Sequence, residues 1–281
     1  MTKTNDEQSL VRYDQSRAAG WMKWFHITEA SAQPISQRMV ELAGIGPGSR
    51  VLDLATGLGE PALTAAAAAA PNGHVLATDL SEDMIGFAAN RADELALTNV
   101  EFRIMDANEP DVAQASFDAV LSRWGLMFLA QLHTTLAGVH RCLKPGGRFV
   151  AVVWGSPDGA PTNSLAERVL RKSLDLPPPQ EGPLTPFSLQ DSADLLQRTR
   201  EAGFEQVCGE QMDVLIEFKS TAEFAAYRRD RAGSMHKHLA HLSPVEQDAA
   251  WNEVAEAAER FVDSDGVVRM HNGAFCMTAV R

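Results

Sequence analysis

No apolar run in this chain approaches the ~20 residues that a bilayer span requires. Cysteine is scarce as well. Cys142, Cys208 and Cys276 are odd in number, far apart and outside metal-ligand spacing. A disulfide framework and a thiolate metal site are therefore excluded, which leaves three inert thiols. Excess positive charge is missing too. With 25 Lys and Arg against 37 Asp and Glu, the formal net charge is -12. Phosphate backbones attract basic surfaces, so nucleic acid is not an expected partner. The local basic run AYRRDR (226–231) reads as a solvated helix face. The N-terminal MTKTNDEQSLVRYDQ lacks the apolar core of a signal peptide, and a cytoplasmic location is expected. No internal repeat is visible, and 45% hydrophobic with 22% charged residues is ordinary for a soluble globular protein.

What the chain does have is alternation. Residues 9–42 read as helical. VLDLA (51–55), HVLATD (74–79), VEFRIMD (100–106), FDAVLSR (117–123) and RFVAVVW (148–154) read as buried strands. EPALTAAAAAA (60–70), SEDMIGFAANRADELA (81–96) and LAQLHTTLAGVHRCL (129–143) read as the helices between them, with Ser81 as a cap and KPGG as a turn before the fifth strand. Strands alternating with helices predict βαβ units around a parallel sheet. Beyond Trp154 a proline-rich segment (175–186), a helix ending at Gly203, a strand (205–218), two helices (221–243 and 244–262) and a final strand AFCMTAVR follow. The expected organisation is one domain over 1–281. It comprises a helical lid (1–45), a core (46–154), a variable region (155–220), a helical insertion (221–265) and the final strand (266–281).

The core carries a glycine turn, VLDLATGLGEP, followed by an acid. Gly57 and Gly59 permit positive φ and close approach of a ligand, and the following helix start offers free N–H groups. Asp79 ends the next strand, where a carboxylate accepts hydrogen bonds from two ribose hydroxyls. Nicotinamide and flavin sites share that geometry. Here, however, Glu60 puts a negative charge where a pyrophosphate would sit on the helix N-terminus. A cofactor with a ribose and no phosphate escapes the conflict.

With LDLATGLGEPA, ATDLSEDM, RIMDANE and VHRCLKPGGRF in place, the chain resembles the class I S-adenosylmethionine-dependent methyltransferases, and most of all the ubiquinone/menaquinone C-methylase-like branch. The likeness is close from Val51 to about Trp154. It implies a Rossmann-like, doubly wound α/β fold: a seven-stranded, mostly parallel sheet whose last strand is antiparallel. It also implies roles. Ala55, Thr56 and Gly57, with Gly59 in the same turn, hold the methionine moiety of S-adenosyl-L-methionine. Asp79 takes the ribose, Leu80 and Met84 flank the adenine, Asp106 accepts from its amino group and the Ala107 N–H points at a ring nitrogen. Ser122 stands by the methionine end and Tyr13 covers the methyl. The commonest family pattern has glycine where this chain has Ala55, although the quinone-methylase branch often has alanine.

Methyl transfer from a sulfonium is a displacement that needs placement and water exclusion more than an acid/base pair, and no such pair is evident here. Substrate contacts belong to the carboxyl ends of the strands: Arg123, Trp124 and Met127 after the fourth and Trp154 after the fifth. Arg123 either holds a substrate anion or pairs with a lid carboxylate. The two tryptophans wall an apolar pocket or belong to the core. In the lid, Trp21 and Trp24 are candidate substrate contacts, and His26 is a candidate base or a residue packing on its neighbours. His238 and His241 share a helix face near His236, but no acid or cysteine completes a site, so no metal is expected. The expected function is in-line methylation of a small-molecule O-, C- or N-acceptor, aromatic or apolar with a polar or anionic group. A homodimer is compatible with the sequence. A non-catalytic S-adenosylmethionine-binding module and a nicotinamide-dependent oxidoreductase are the alternatives.

Overall fold

Seven strands form one sheet in the computed structural model, which describes residues 15–177, 184–233 and 235–281. They are β1 (Arg50–Leu54), β2 (His74–Asp79), β3 (Val100–Ile104), β4 (Phe117–Arg123), β5 (Leu143–Trp154), β6 (Glu205–Phe218) and β7 (Val268–Val280), in the order β3-β2-β1-β4-β5-β7-β6. β1 to β5 pair in parallel, whereas β7 lies antiparallel between β5 and β6. This is the expected Rossmann-like α/β sheet with its antiparallel last strand. The order reverses at β1, between β2 and β4, and the crevice above that point is where such sheets place ligands.

The helices are α1 (Gln15–Lys23), α2 (Phe25–Leu42), α3 (Ala62–Ala69), α4 (Glu82–Glu94), α5 (Leu132–Cys142), α6 (Pro161–Ser173), α7 (Ser192–Glu201), α8 (Thr221–Asp230), α9 (Met235–Leu239) and α10 (Pro244–Ala258). β1, β4 and β5 supply a core of side chains with almost no exposure, among them Leu52, Val120 and Phe149. Continuous apolar strands of this kind belong to a sheet covered on both faces. α3 lies close to the sheet because Ala62, Ala65, Ala66 and Ala69 present no bulk on that side. α4 begins where Ser81 accepts a hydrogen bond from the Met84 N–H, as an N-cap serine does.

Three boundaries differ from the sequence reading. The KPGG segment is part of β5, with a register shift opposite Phe117 and Ala119, because Leu143 still pairs with Phe117. Residues 221–243 form two helices, since the chain leaves helical geometry after Asp230 and Gly233 takes φ +53°. β7 begins at Val268, ahead of AFCMTAVR, because it pairs with β6 along almost its whole length. Among the described residues no helix is long and apolar enough to cross a membrane.

Candidate active site

The carboxyl end of β1 gathers most of the expected cofactor residues. Ala55 turns the chain with φ +57° and Gly57 with φ +56°. The left-handed conformation strains an alanine and suits a glycine. The turn is tied to its neighbours on both sides. The Thr56 N–H donates to the Thr78 carbonyl at 2.8 Å, and the Gly57 N–H donates to Asp79 Oδ2 at 2.9 Å. Asp79 Oδ1 accepts from the Ser81 N–H at 2.9 Å. Burial pushes the Asp79 carboxyl above the usual range, and these backbone donors oppose the shift. Met84 is buried beside the turn, with its sulfur 3.7 Å from where a Cβ on Gly57 would stand.

Ser122 donates its hydroxyl to the Leu54 carbonyl at 3.0 Å. Gly125, which the sequence reading passed over, closes the same corner. A Cβ there would stand 2.7 Å from the Ala55 Cβ and 2.8 Å from Ser122 Oγ. A glycine directly after a strand-end aromatic was the signal available. Gly59 has a packing role: its Cβ would stand 3.0 Å from Leu63 and 3.1 Å from Ala88, so the glycine lets α3 and α4 meet. Leu80 is exposed and Ala107 buried. The exposed Asp106 accepts from the Asn108 backbone and side-chain amides, and the Met105 N–H donates to the Asp79 carbonyl, so the β3 turn abuts the Asp79 turn.

The helix start behind the turn is less open than expected. Asp53 Oδ2 accepts from the Ala62 N–H at 3.2 Å, and Glu60 Oε2 accepts from the Thr64 N–H at 3.2 Å and its hydroxyl at 2.6 Å. Two buried carboxylates thus cap α3 internally, a poor seat for a pyrophosphate. Arg91 pairs with Glu60 at 3.3 Å. Burial, and then the Glu29 charge, push the Glu60 carboxyl up.

Burial raises Asp53 to about 7, with the Thr56 hydroxyl and the Arg123 charge opposing. Unfolded aspartate ionises near pH 4. From there to about 7 the native state holds a proton that the unfolded state has lost. The contribution to stability is therefore present at acid pH and lost as the pH rises through about 7. In ligand-free protein, Asp53→Asn is expected to abolish this fall, worth up to about 4 kcal/mol between pH 4 and 8. Urea unfolding at both pH values checks it, and identical slopes for the two proteins would refute the assignment.

Asp53 Oδ1 and Thr56 Oγ1 are both enclosed in this corner, and the Thr56 hydroxyl is the donor that favours the ionised Asp53.

Beyond the turn, Trp124 also takes a left-handed backbone, φ +57°, an outlier for so bulky a side chain. Its ring stacks on Trp154 with centroids 4.4 Å apart and planes 8° from parallel, and its Nε1 is buried without an acceptor. Arg123 is held by α2. It meets both Glu29 carboxylate oxygens (3.4 and 3.1 Å), the Ala32 carbonyl (3.3 Å) and Ser36 Oγ (2.7 Å). Met127 is in the core and lines a separate groove with Leu132, Leu184 and Leu189.

The lid crosses from one flank of the crevice to the other. Phe25 packs edge-on against Phe87 of α4, with Arg91 over its ring. Trp24 is buried, donates to Asp230 at 2.7 Å and meets Tyr227 edge-on, while Arg231 lies over Trp21. His26 is exposed and lines a groove of about 510 Å³ between α2 and β6, together with Asp213 and Glu217. The structure therefore does not bring it to the crevice. His236 and His238 are exposed on α9 with His241 just beyond it, and no group of three metal-ligating side chains occurs among the described residues. Tyr13 lies outside the described residues.

Comparison with known proteins agrees with this geometry. A methyltransferase-domain family profile matches residues 45–168. The ubiquinone/menaquinone biosynthesis C-methyltransferase of Teredinibacter turnerae is 32% identical over 130 residues, 46% of this chain and 51% of that protein. The demethylmenaquinone methyltransferase of Lactococcus lactis is 31% identical over 164 residues, 56% of this chain and 62% of that one. The chain spans about half the length of the curated relatives it matches. Among solved structures, the Haemonchus contortus phosphoethanolamine N-methyltransferase 2 in complex with S-adenosyl-L-methionine has a TM-score of 0.59 at 20% identity, covering 100% of this chain and 60% of that one.

Proposed function

We propose that this chain, whose residues 45–168 match a methyltransferase-domain family and which resembles the quinone C-methylases over about half their length, moves a methyl group from S-adenosylmethionine to a small molecule. The observation that carries the reading is the corner at the end of β1. There a strained turn and the Asp79 carboxylate, which the Gly57 N–H holds in place, converge. Such a corner suits a ligand with a ribose and a donor-bearing amino acid end.

When bound, S-adenosylmethionine supplies a methyl group already activated on its sulfonium. The chain's work is then placement and exclusion of water. In this reading Ala55, Thr56 and Gly57 receive the methionine portion and Asp79 the ribose, with Leu80 and Met84 along the adenine and Asp106 and Ala107 at its edge. Ser122 and Gly125 keep the floor of the corner tight. The Trp124–Trp154 stack offers a flat apolar wall to an aromatic or apolar acceptor, which attacks in line through oxygen, nitrogen or carbon. A polar or anionic group on the acceptor completes the match.

Titration calorimetry with S-adenosylmethionine and S-adenosylhomocysteine is expected to show micromolar binding of both, and a methyl-transfer assay over aromatic metabolites to show turnover. Absence of binding to either cofactor form would overturn the reading. Binding without transfer to any acceptor would reduce it to a cofactor-binding module.

A further inference from the structure

Arg91 joins the glycine turn to the lid. It stands in the last turn of α4. Its Nη1 donates to the Leu58 carbonyl at 2.6 Å, and its Nη2 pairs with Glu60 Oε1 at 3.3 Å. The Phe25 ring of α2 lies against the same guanidinium, with its centroid 4.3 Å from Cζ. Phe87, one turn earlier on α4, meets that ring edge-on at 5.5 Å. A guanidinium can serve both partners because it is planar, with N–H groups at its edge and a face that an aromatic ring can cover. The Arg91 and Glu60 side chains are 13% and 5% exposed, so this pair escapes the screening that weakens surface bridges.

What Arg91 holds is a peptide of the turn. The Leu58 carbonyl belongs to the Leu58–Gly59 peptide, whose N–H donates to the Thr56 carbonyl at 3.0 Å. That peptide is thus fixed at both of its polar ends. The Thr56 carbonyl belongs to the peptide whose N–H, on Gly57, donates to Asp79 Oδ2 at 2.9 Å. A chain of hydrogen bonds therefore runs from Arg91 through two peptides to Asp79. Ala55, at the head of this turn, has a left-handed backbone, and such strain persists only where the surroundings over-determine it.

The lid reaches the same point by a second route. Phe25, Glu29 and Gln33 are spaced by four along α2, which puts them on one face. Gln33 Nε2 donates to Thr64 Oγ1 at 3.0 Å, and the Thr64 hydroxyl donates to Glu60 Oε2 at 2.6 Å. Each carboxylate oxygen of Glu60 thus meets a side chain that α2 also touches, Oε1 through Arg91 and Oε2 through Thr64.

We infer that Arg91 is a positioning residue for the cofactor: it carries the docking of α2 to the Leu58–Gly59 peptide and so sets the turn that receives S-adenosylmethionine. The inference rests on the methyltransferase reading. Arg91 acts through Leu58 and Glu60, and Phe25 acts on the cofactor through Arg91.

The test is a double-mutant cycle read in S-adenosylhomocysteine affinity by calorimetry, at a temperature where every variant is folded by thermal melt. Arg91→Gln is expected to weaken binding at least tenfold. Phe25→Leu keeps apolar bulk and removes the aromatic face, and is expected to weaken binding by about threefold in the wild type and not at all in the Arg91→Gln background. A merely structural contact would cost stability and leave this coupling at zero. Wild-type affinity in Arg91→Gln would overturn the inference. So would a Phe25→Leu effect of equal size in both backgrounds, including none in either. Should Arg91→Gln fail to fold, Arg91→Lys takes its place in the cycle, since a lysine cannot reproduce the fork; a loss of affinity is then expected, and wild-type affinity counts against the assignment. Failure of the wild type to bind S-adenosylhomocysteine would instead strike the underlying reading.

Discussion

Asp79→Ala is expected to weaken S-adenosylhomocysteine binding by at least two orders of magnitude. Each carboxylate oxygen of Asp79 already accepts one backbone N–H, from Gly57 and from Ser81. These bonds fix its rotamer before a ligand arrives. The remaining lone pairs are the ones available to a pair of ribose hydroxyls. Hydrogen bonds to a charged group contribute roughly 1.5–3 kcal/mol each, so losing two costs about 100-fold or more. The substitution also strips the Gly57 N–H of its acceptor inside the turn that would hold the methionine end, so the damage extends past the ribose. Asp79→Asn keeps one acceptor oxygen and is expected to lose only about tenfold. Calorimetry on both variants, with a thermal melt to confirm folding, checks the gradation. Near wild-type affinity in Asp79→Ala would remove Asp79 from the cofactor site.

The residues proposed to hold the cofactor could be read as neighbours because their arrangement is local. A glycine turn after an apolar strand and an acid at the end of the next strand are separated by a fixed crossover, and the parallel sheet then sets them side by side. The Ser81 cap and the inward alanines of α3 could be read for the same reason, since propensity and packing point the same way there. The surroundings of the expected acceptor residues were not legible. Nothing in the sequence around Arg123 says whether it has a counter-charge. The partner of Arg123, Glu29, is 94 positions away in the chain. His26 was singled out for its titration range alone, and helix phase turned it to the β6 side. Periodicity could not foresee the break near Gly233 or the pairing that carries β5 through KPGG. Both are decided by tertiary contacts that override local preference.

Arg123→Ala is expected to destabilise the cofactor-free protein by about 3–5 kcal/mol, roughly 10 °C in Tm for a chain of this size. The Arg123 and Glu29 side chains are 8% and 14% exposed, so this pair is not a solvated surface bridge of negligible worth. Truncating the arginine leaves the Glu29 carboxylate buried without its bidentate partner, and Ser36 Oγ and the Ala32 carbonyl without their donor. It also removes the positive charge that favours ionisation of Asp53 and Glu60. Both carboxyls then move further up, and the pH at which the cofactor-free protein loses stability rises with them. Replacing the pair together, Arg123→Met with Glu29→Leu, is expected to recover most of the loss, since a buried ion pair exchanged for apolar side chains of similar volume is often near neutral. Chemical denaturation of the two single variants and the double variant gives the coupling directly. If Arg123 instead gripped a substrate anion, Arg123→Ala would melt like the wild type and raise KM for the acceptor. The coupling between Arg123 and Glu29 therefore decides whether Arg123 pins the lid or holds a substrate anion.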